Sequence, residues 1–208
     1  MISFRIGECD FDLIPAVKGL ISEKEKVLEA LDSKEYDAAA VALGAEDVQA
    51  ITKRDEIEGE FEPSDLDVVY SGILAEFGPI DMPDPASTAL IDECGKRNIP
   101  VIPLDMTDEE YTQLYCETVS TVEFLREKHI IKKALKNKFD KSSPEKFAVE
   151  WDDLVNHLRG YAMMSKYREE HMANQIKDIS KYRRKVLVVV EYERVKGTMD
   201  SVGERVDL

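Results

Sequence analysis

Acidic side chains follow the apolar runs of this chain with a regularity that chemistry could use. Glu8 and Asp10 come after ISFRI, and Glu46 and Asp47 after AAAVAL. Asp105 closes IPVIPL, and Glu191 and Glu193 close VLVVV. If those runs are parallel strands, the carboxylates share one edge of a sheet, where open α/β sheets bind ligands. Like charges that close repel, and a hard cation or an arginine is the usual compensation. Asp10, Asp105 and Glu193 are then candidate ligands for magnesium or manganese. Glu8, Asp10, Asp105, Glu191 and Glu193 together are candidates for acid–base work. Arg168 and Arg194 are the arginines available to pair with them. A purely structural origin is the alternative, because acids favour turns and helix amino ends and the chain has 43 of them. No two of these residues form a recognised metal-ligand spacing.

Other reactive residues carry less. Cys9 follows a strand in GECD, but its acidic neighbours raise a thiol pKa and work against a nucleophile. His129, His157 and His171 lie on separate helical stretches with no i, i+4 pair, so they form no metal motif. Met163, Met164 and Met172 recur at helical spacing, as core residues do. Neither a dinucleotide fingerprint nor a phosphate-binding loop occurs.

The elements that would position these residues read as follows. Ile2–Ile6 alternates as a short strand, and Pro15 opens a helix with apolar residues from Val17 to Leu31. Ala38–Leu43 is a buried strand, so strand, helix and strand make a βαβ unit with parallel pairing. A weak helix over 47–57 and an acidic loop over 56–64 follow. Asp67–Tyr70 is a strand or the first turn of the next element. Asp84 caps a helix with Pro85 at its first position, ending at Asn98. Ile99–Leu104 is a strand whose two prolines put it at an edge or a bulge. Thr107 and Glu110 form a capping box, and Ser143-Pro144 starts another helix. Val186–Val190, five apolar residues of which four are β-branched, is a strand buried on both faces. The tail after Gly197 is a short, loosely docked element. The expected fold is α/β, a mainly parallel sheet flanked by helices in one domain of 208 residues, with a helical insertion over 107–180 before the last strand.

The formal net charge of −15 argues against a general nucleic-acid binder, which needs a basic face. No apolar run approaches a membrane span. The opening residues turn acidic too early for a signal peptide, and three cysteines without short spacing fit a reducing, cytoplasmic setting. The helical insertion has more apolar positions than a chain of this size easily covers, which points to a homodimer through it.

Four stretches resemble the TraB/PrgY pheromone-shutdown family, related to the Tiki and erythromycin-esterase-like proteins. Ile6–Asp10 is similar to that family's opening strand and Gly-x-x-His turn. Gly78–Leu104 with Asp105 is similar to its middle stretch, where a helix leads to a strand ending in Asp. Tyr167–Ala173 is similar to a Glu-Arg-Asp-x-x-Met-Ala helix, and Val188–Gly197 to a final strand with a Gly-x-Gly-His turn. The histidine positions of the first and last turns hold Asp10 and Arg194 here, and Glu191 and Glu193 stand where glycines are expected. The acid expected after the second strand falls on Ala42, while Arg168, Glu169 and Asp105 remain. The resemblance therefore implies no zinc or histidine mechanism. It implies a scaffold that binds or assembles without catalysis, its arginines structural. The alternative it implies is a metal-dependent hydrolase rebuilt from carboxylates, with Arg168, Glu169 and Arg194 holding the substrate.

Overall fold

Val186–Val190 offers no polar face, so water must be kept from both sides of it, and the chain does this by placing the strand at the centre of a sheet. The computed structural model describes residues 1–54, 56 and 63–206. Its strands are β1 (Ile2–Ile6), β2 (Cys9–Ala16), β3 (Ala38–Val41), β4 (Val101–Pro103) and β5 (Lys185–Glu191), in the order β1-β2-β5-β3-β4. β2, β5, β3 and β4 are mutually parallel, and only β1 runs antiparallel, to β2. All five residues from Val186 to Val190 are buried, each such side chain worth about 1.5–3 kcal/mol of transfer free energy.

Among the described residues nine helices surround the sheet. α1 (Glu23–Ser33), α2 (Ala45–Thr52), α3 (Asp65–Leu74) and α4 (Pro85–Arg97) precede β4. α5 (Asp108–Thr118), α6 (Thr121–Ala134), α7 (Pro144–Val155) and α8 (Arg159–Ile179) lie between β4 and β5, and α9 (Tyr192–Val202) follows. Alternation along the strands sorts the core. Ile14, Ala39, Leu187 and Val189 meet Val27 and Leu31 of α1 and Leu90 and Cys94 of α4 on one face. Phe11, Leu13, Val186 and Val188 meet Met172, Ile176 and Ile179 of α8 and Met199 of α9 on the other. A third core joins α3, α6 and α7 through Leu74, Ile130, Phe147 and Trp151, and rests on Val17 and Leu20 just past the end of β2. These helices form a cap over the carboxyl edge of the sheet.

The helical insertion expected over 107–180 is present as α5–α8. Its last member is also the crossover helix that covers one sheet face, so the segment serves both the cap and the sheet core.

Two expectations need correction, and one open choice is decided. Pro15 does not open a helix: it lies inside β2, opposite Val190. Asp10 donates its amide towards β5, so the odd-numbered residues of β2 direct their main chain towards β1, whose pairing stops at Leu13 opposite Ile2. The missing proline N–H therefore faces a free edge and removes no ladder bond. The first two strands consequently make a hairpin through Gly7 (φ 59°), and the βαβ unit runs β2–α1–β3. Asp67–Tyr70 belongs to α3, started by a Ser64–Asp67 capping box. The tail is no loose element, because Thr198 and Met199 of α9 are fully buried. Most of the acidic loop expected over 56–64 lies outside the described residues.

Other local readings hold. Asp84 accepts the Ser87 amide at 2.9 Å and caps α4, and Asn98 ends that helix in the left-handed region. β4 is an edge strand. Leu104 directs its amide to Val41, so Val101 and Pro103 direct their main chain outward and only Val101 offers a donor there.

The loops after β3 and β4 cross at Gly44, where an added Cβ would stand 2.5 Å from the Met106 carbonyl oxygen. Backbone cannot swing aside as a side chain would. Gly44→Ala is expected to destabilise the protein by about 1–3 kcal/mol in denaturant unfolding. Gly72→Ala, in α3 with nothing within 4 Å of its Cβ, should be neutral or stabilising.

Candidate functional site

Progress across the sheet reverses at β5. From β2 to β3 to β4 the crossovers carry α1 and α4 over one face, and the return to β5 brings α8 over the other. The loops after β3 and β5 therefore part to opposite faces and leave a crevice above their carboxyl ends, the place where such sheets take ligands. A cleft of two lobes occupies it. The inner lobe, about 300 Å³, lies between Gly44, Asp47, Asp84, Asp105 and Glu191. The outer lobe, about 380 Å³, lies under the cap between Tyr70, Tyr111, Tyr115, Trp151 and Tyr161. Lys18, Tyr111, Arg168 and Glu191 line both lobes.

Arg168 of α8 is the floor of the cleft. Its Nε donates to Asp105 Oδ2 at 2.7 Å and its Nη2 to Glu191 Oε1 at 3.1 Å. One guanidinium thus joins the loop after β4, the end of β5 and α8. Burial alone would lower the Arg168 pKa, but Glu191 and Asp105 outweigh it and raise it, so the group is a permanent cation.

Arg194 of α9 stands behind this floor, 4% exposed. It donates to Glu169 Oε1 of α8 at 2.8 Å and pairs with Asp152 of α7. Burial lowers its pKa to about 10, which leaves it charged at neutral pH. Gly197 admits this arrangement, since a Cβ there would overlap the Glu169 carboxylate.

Glu193 lines the outer lobe with both arginines, and its Oε2 is withdrawn from solvent with no hydrogen-bond partner. The second oxygen of Glu191 is unpartnered too. Burial, helped by Glu191, pushes the Glu193 carboxyl up to about 7. Burial also raises Asp47. Lys18, on the loop after β2, makes no ion pair among the described residues, and its field acts on both Glu193 and Asp47.

The structure thus brings together Asp105, Glu191, Glu193, Arg168, Glu169 and Arg194. It separates Glu8 and Asp10 from them. Asp10 pairs in register with Lys185 while Ala16 pairs with Glu191, six residues or about 20 Å further along the strand. Glu8 sits in the hairpin turn against Arg184 at 2.7 Å, and Asp10 against Arg5 at 2.5 Å, all well exposed. The expected trio of Asp10, Asp105 and Glu193 does not converge. Among the described residues no group of three or more His, Cys, Asp or Glu side chains could hold a metal ion. Cys9 is buried with its pKa pushed to about 11, chiefly by burial, which removes it as a nucleophile.

Sequence reasoning missed Lys18, Ser87 and the tyrosines of the outer lobe. Lys18 was hidden by the strand assignment: with β2 read as Cys9–Ala16, it falls just past a carboxyl end, as Asp105 does. The tyrosines come from three helices, α3, α5 and α8, and have no signal in sequence. No family model, no curated protein and no solved structure matches this chain. No helix among the described residues is long and apolar enough to cross a membrane.

Two measurements check this electrostatic picture. Arg168→Met leaves two buried carboxylates unpaired and should destabilise by about 3 kcal/mol or more in urea titration at pH 7. Glu193 has a folded pKa above its ordinary value, so its contribution is intact below pH 4.5 and lost as pH rises through about 7. Glu193→Gln should therefore raise stability at pH 8, leave it little changed at pH 4.5, and flatten the profile between.

Proposed function

We propose that this chain is a non-catalytic binding module, a scaffold with the element order of TraB-like hydrolases that holds a small ligand in the carboxyl-edge cleft. The observation that carries this reading is the commitment of both arginines. Arg168 is taken up by Asp105 and Glu191, and Arg194 by Glu169 and Asp152. A guanidinium held by two largely buried carboxylates builds a floor; it does not reach out to polarise a substrate carbonyl. The carboxylates so engaged are in turn not free to share an ion.

The test is isothermal titration of the chelator-treated protein with magnesium, manganese and zinc. No stoichiometric binding is expected. Stoichiometric binding of one ion, lost in Asp105→Asn and Glu193→Gln, would replace this reading with that of a carboxylate-built metal hydrolase.

The module further associates as a homodimer through its cap. Phe124, Leu125 and Leu135 on α6 and the turn after it are 56%, 61% and 67% exposed, and α6 carries Arg126, Lys128, Lys132 and Lys133 in a chain with net charge −15. A second copy supplies the acidic surface that complements it. Sedimentation velocity at micromolar concentration should show a dimer that Phe124→Asp or Leu125→Asp converts to monomer. A monomeric wild-type protein would end this part of the proposal.

A further inference from the structure

The cleft contains three kinds of unmet demand, and together they describe a ligand. Two carboxylate oxygens, Oε2 of Glu191 and Oε2 of Glu193, are withdrawn from solvent without a donor. An ionised carboxylate only accepts, so each calls for an N–H or O–H from outside the chain. The Lys18 ammonium, which lines both lobes, has no carboxylate within ion-pair distance among the described residues. It stands near the amino end of α9, whose cap residue Glu191 turns its side chain to Arg168 instead of to its own helix amides. That end favours negative charge. The outer lobe supplies rings: Tyr70 packs edge-on against Trp151 with centroids 5.5 Å apart, and Tyr115 against Tyr161 at 6.2 Å.

Each simpler ligand fails one demand. An anion alone would satisfy Lys18 but face Asp47, Asp84, Asp105 and Glu191 in the inner lobe and Glu193 in the outer. A cation alone would satisfy the glutamates and leave Lys18 bare. We propose that the cleft takes a small zwitterion of the α-amino acid class with an aromatic or large apolar side chain. Its ammonium donates to Glu191 and Glu193, its carboxylate meets Lys18, and its side chain enters the ring-lined outer lobe. The proposal rests on the binding-module reading above and adds the ligand's chemistry to it. The inner lobe of about 300 Å³ is of the size that small-molecule sites have.

Three probes separate the demands when titrated into the full chain at pH 7.5: L-phenylalanine, phenethylamine, which lacks the carboxylate, and 3-phenylpropionate, which lacks the ammonium. L-phenylalanine is expected to give saturable heat and a rise in melting temperature. The other two should bind at least about tenfold more weakly, as unpaired buried charge dictates. Lys18→Met and Glu193→Gln should each weaken L-phenylalanine by about tenfold or more, with cooperative unfolding retained. Equal binding of phenethylamine, unchanged binding in both variants, or no binding of L-phenylalanine at millimolar concentration overturns the proposal. A cleft that refuses L-phenylalanine and also refuses divalent ions sinks this proposal alone. One that refuses it and takes a divalent ion sinks the binding-module reading as well.

Discussion

The architecture turns on one guanidinium. Arg168 is held between Asp105 and Glu191 at the point where progress across the sheet turns back. Three segments distant in sequence end there: the loop after an edge strand, the end of the central strand, and the middle of the longest helix. Hydrophobic packing brings β5 and α8 together through Val186, Val188, Met172 and Ile176, but packing is tolerant of small slides along a strand. A charge-assisted bond to two carboxylates is not, because a shift of an ångström or two leaves buried charge without a partner. The apolar core supplies the energy of assembly, and Arg168 sets the registry of cap, sheet and cleft.

A second ionic node repeats the device behind it. Arg194 joins α7, α8 and α9 through Asp152 and Glu169, and Gly197 leaves the space that the Glu169 carboxylate fills. Glu193 lines the same lobe as both nodes and is the one acid of the cluster with neither arginine as a hydrogen-bond partner. Its raised pKa follows from that isolation. The same surroundings that neutralise Asp105 and Glu191 leave Glu193 beside Glu191, with only its own backbone amide and the field of Lys18 and Arg168 in its favour.

Much of the fold was legible because the chain writes it in local terms. Four β-branched residues in five marked the central strand, Asp84-Pro85 marked the start of α4, and Thr107 with Glu110 marked that of α5. The failure at Pro15 was also physical. Proline is read as a helix opener or an edge residue, and the choice depends on what pairs with its neighbours, which no local rule contains. That single error moved Glu8 and Asp10 to the wrong end of the sheet. It also concealed Lys18. The half of the site built from Asp105, Glu191, Glu193 and Arg168 was found because each member stands next to a recognisable element. The aromatic lobe was not, because Tyr70, Tyr111, Tyr115 and Tyr161 are neighbours only after the cap has folded. Asp12 shows the same limit: no local pattern marks it, yet it is 7% exposed and receives Ser3, Lys34 and Tyr36.

Proline stands at both ends of the sheet's exposed backbone. Pro15 occupies the part of β2 that outruns β1, and Pro103 occupies the outward side of β4, where Val101 alone offers a donor. A stranger's strand arriving at either place would find too few partners to zip against. Templated growth by backbone pairing, the route to fibres, is thereby shut along those stretches.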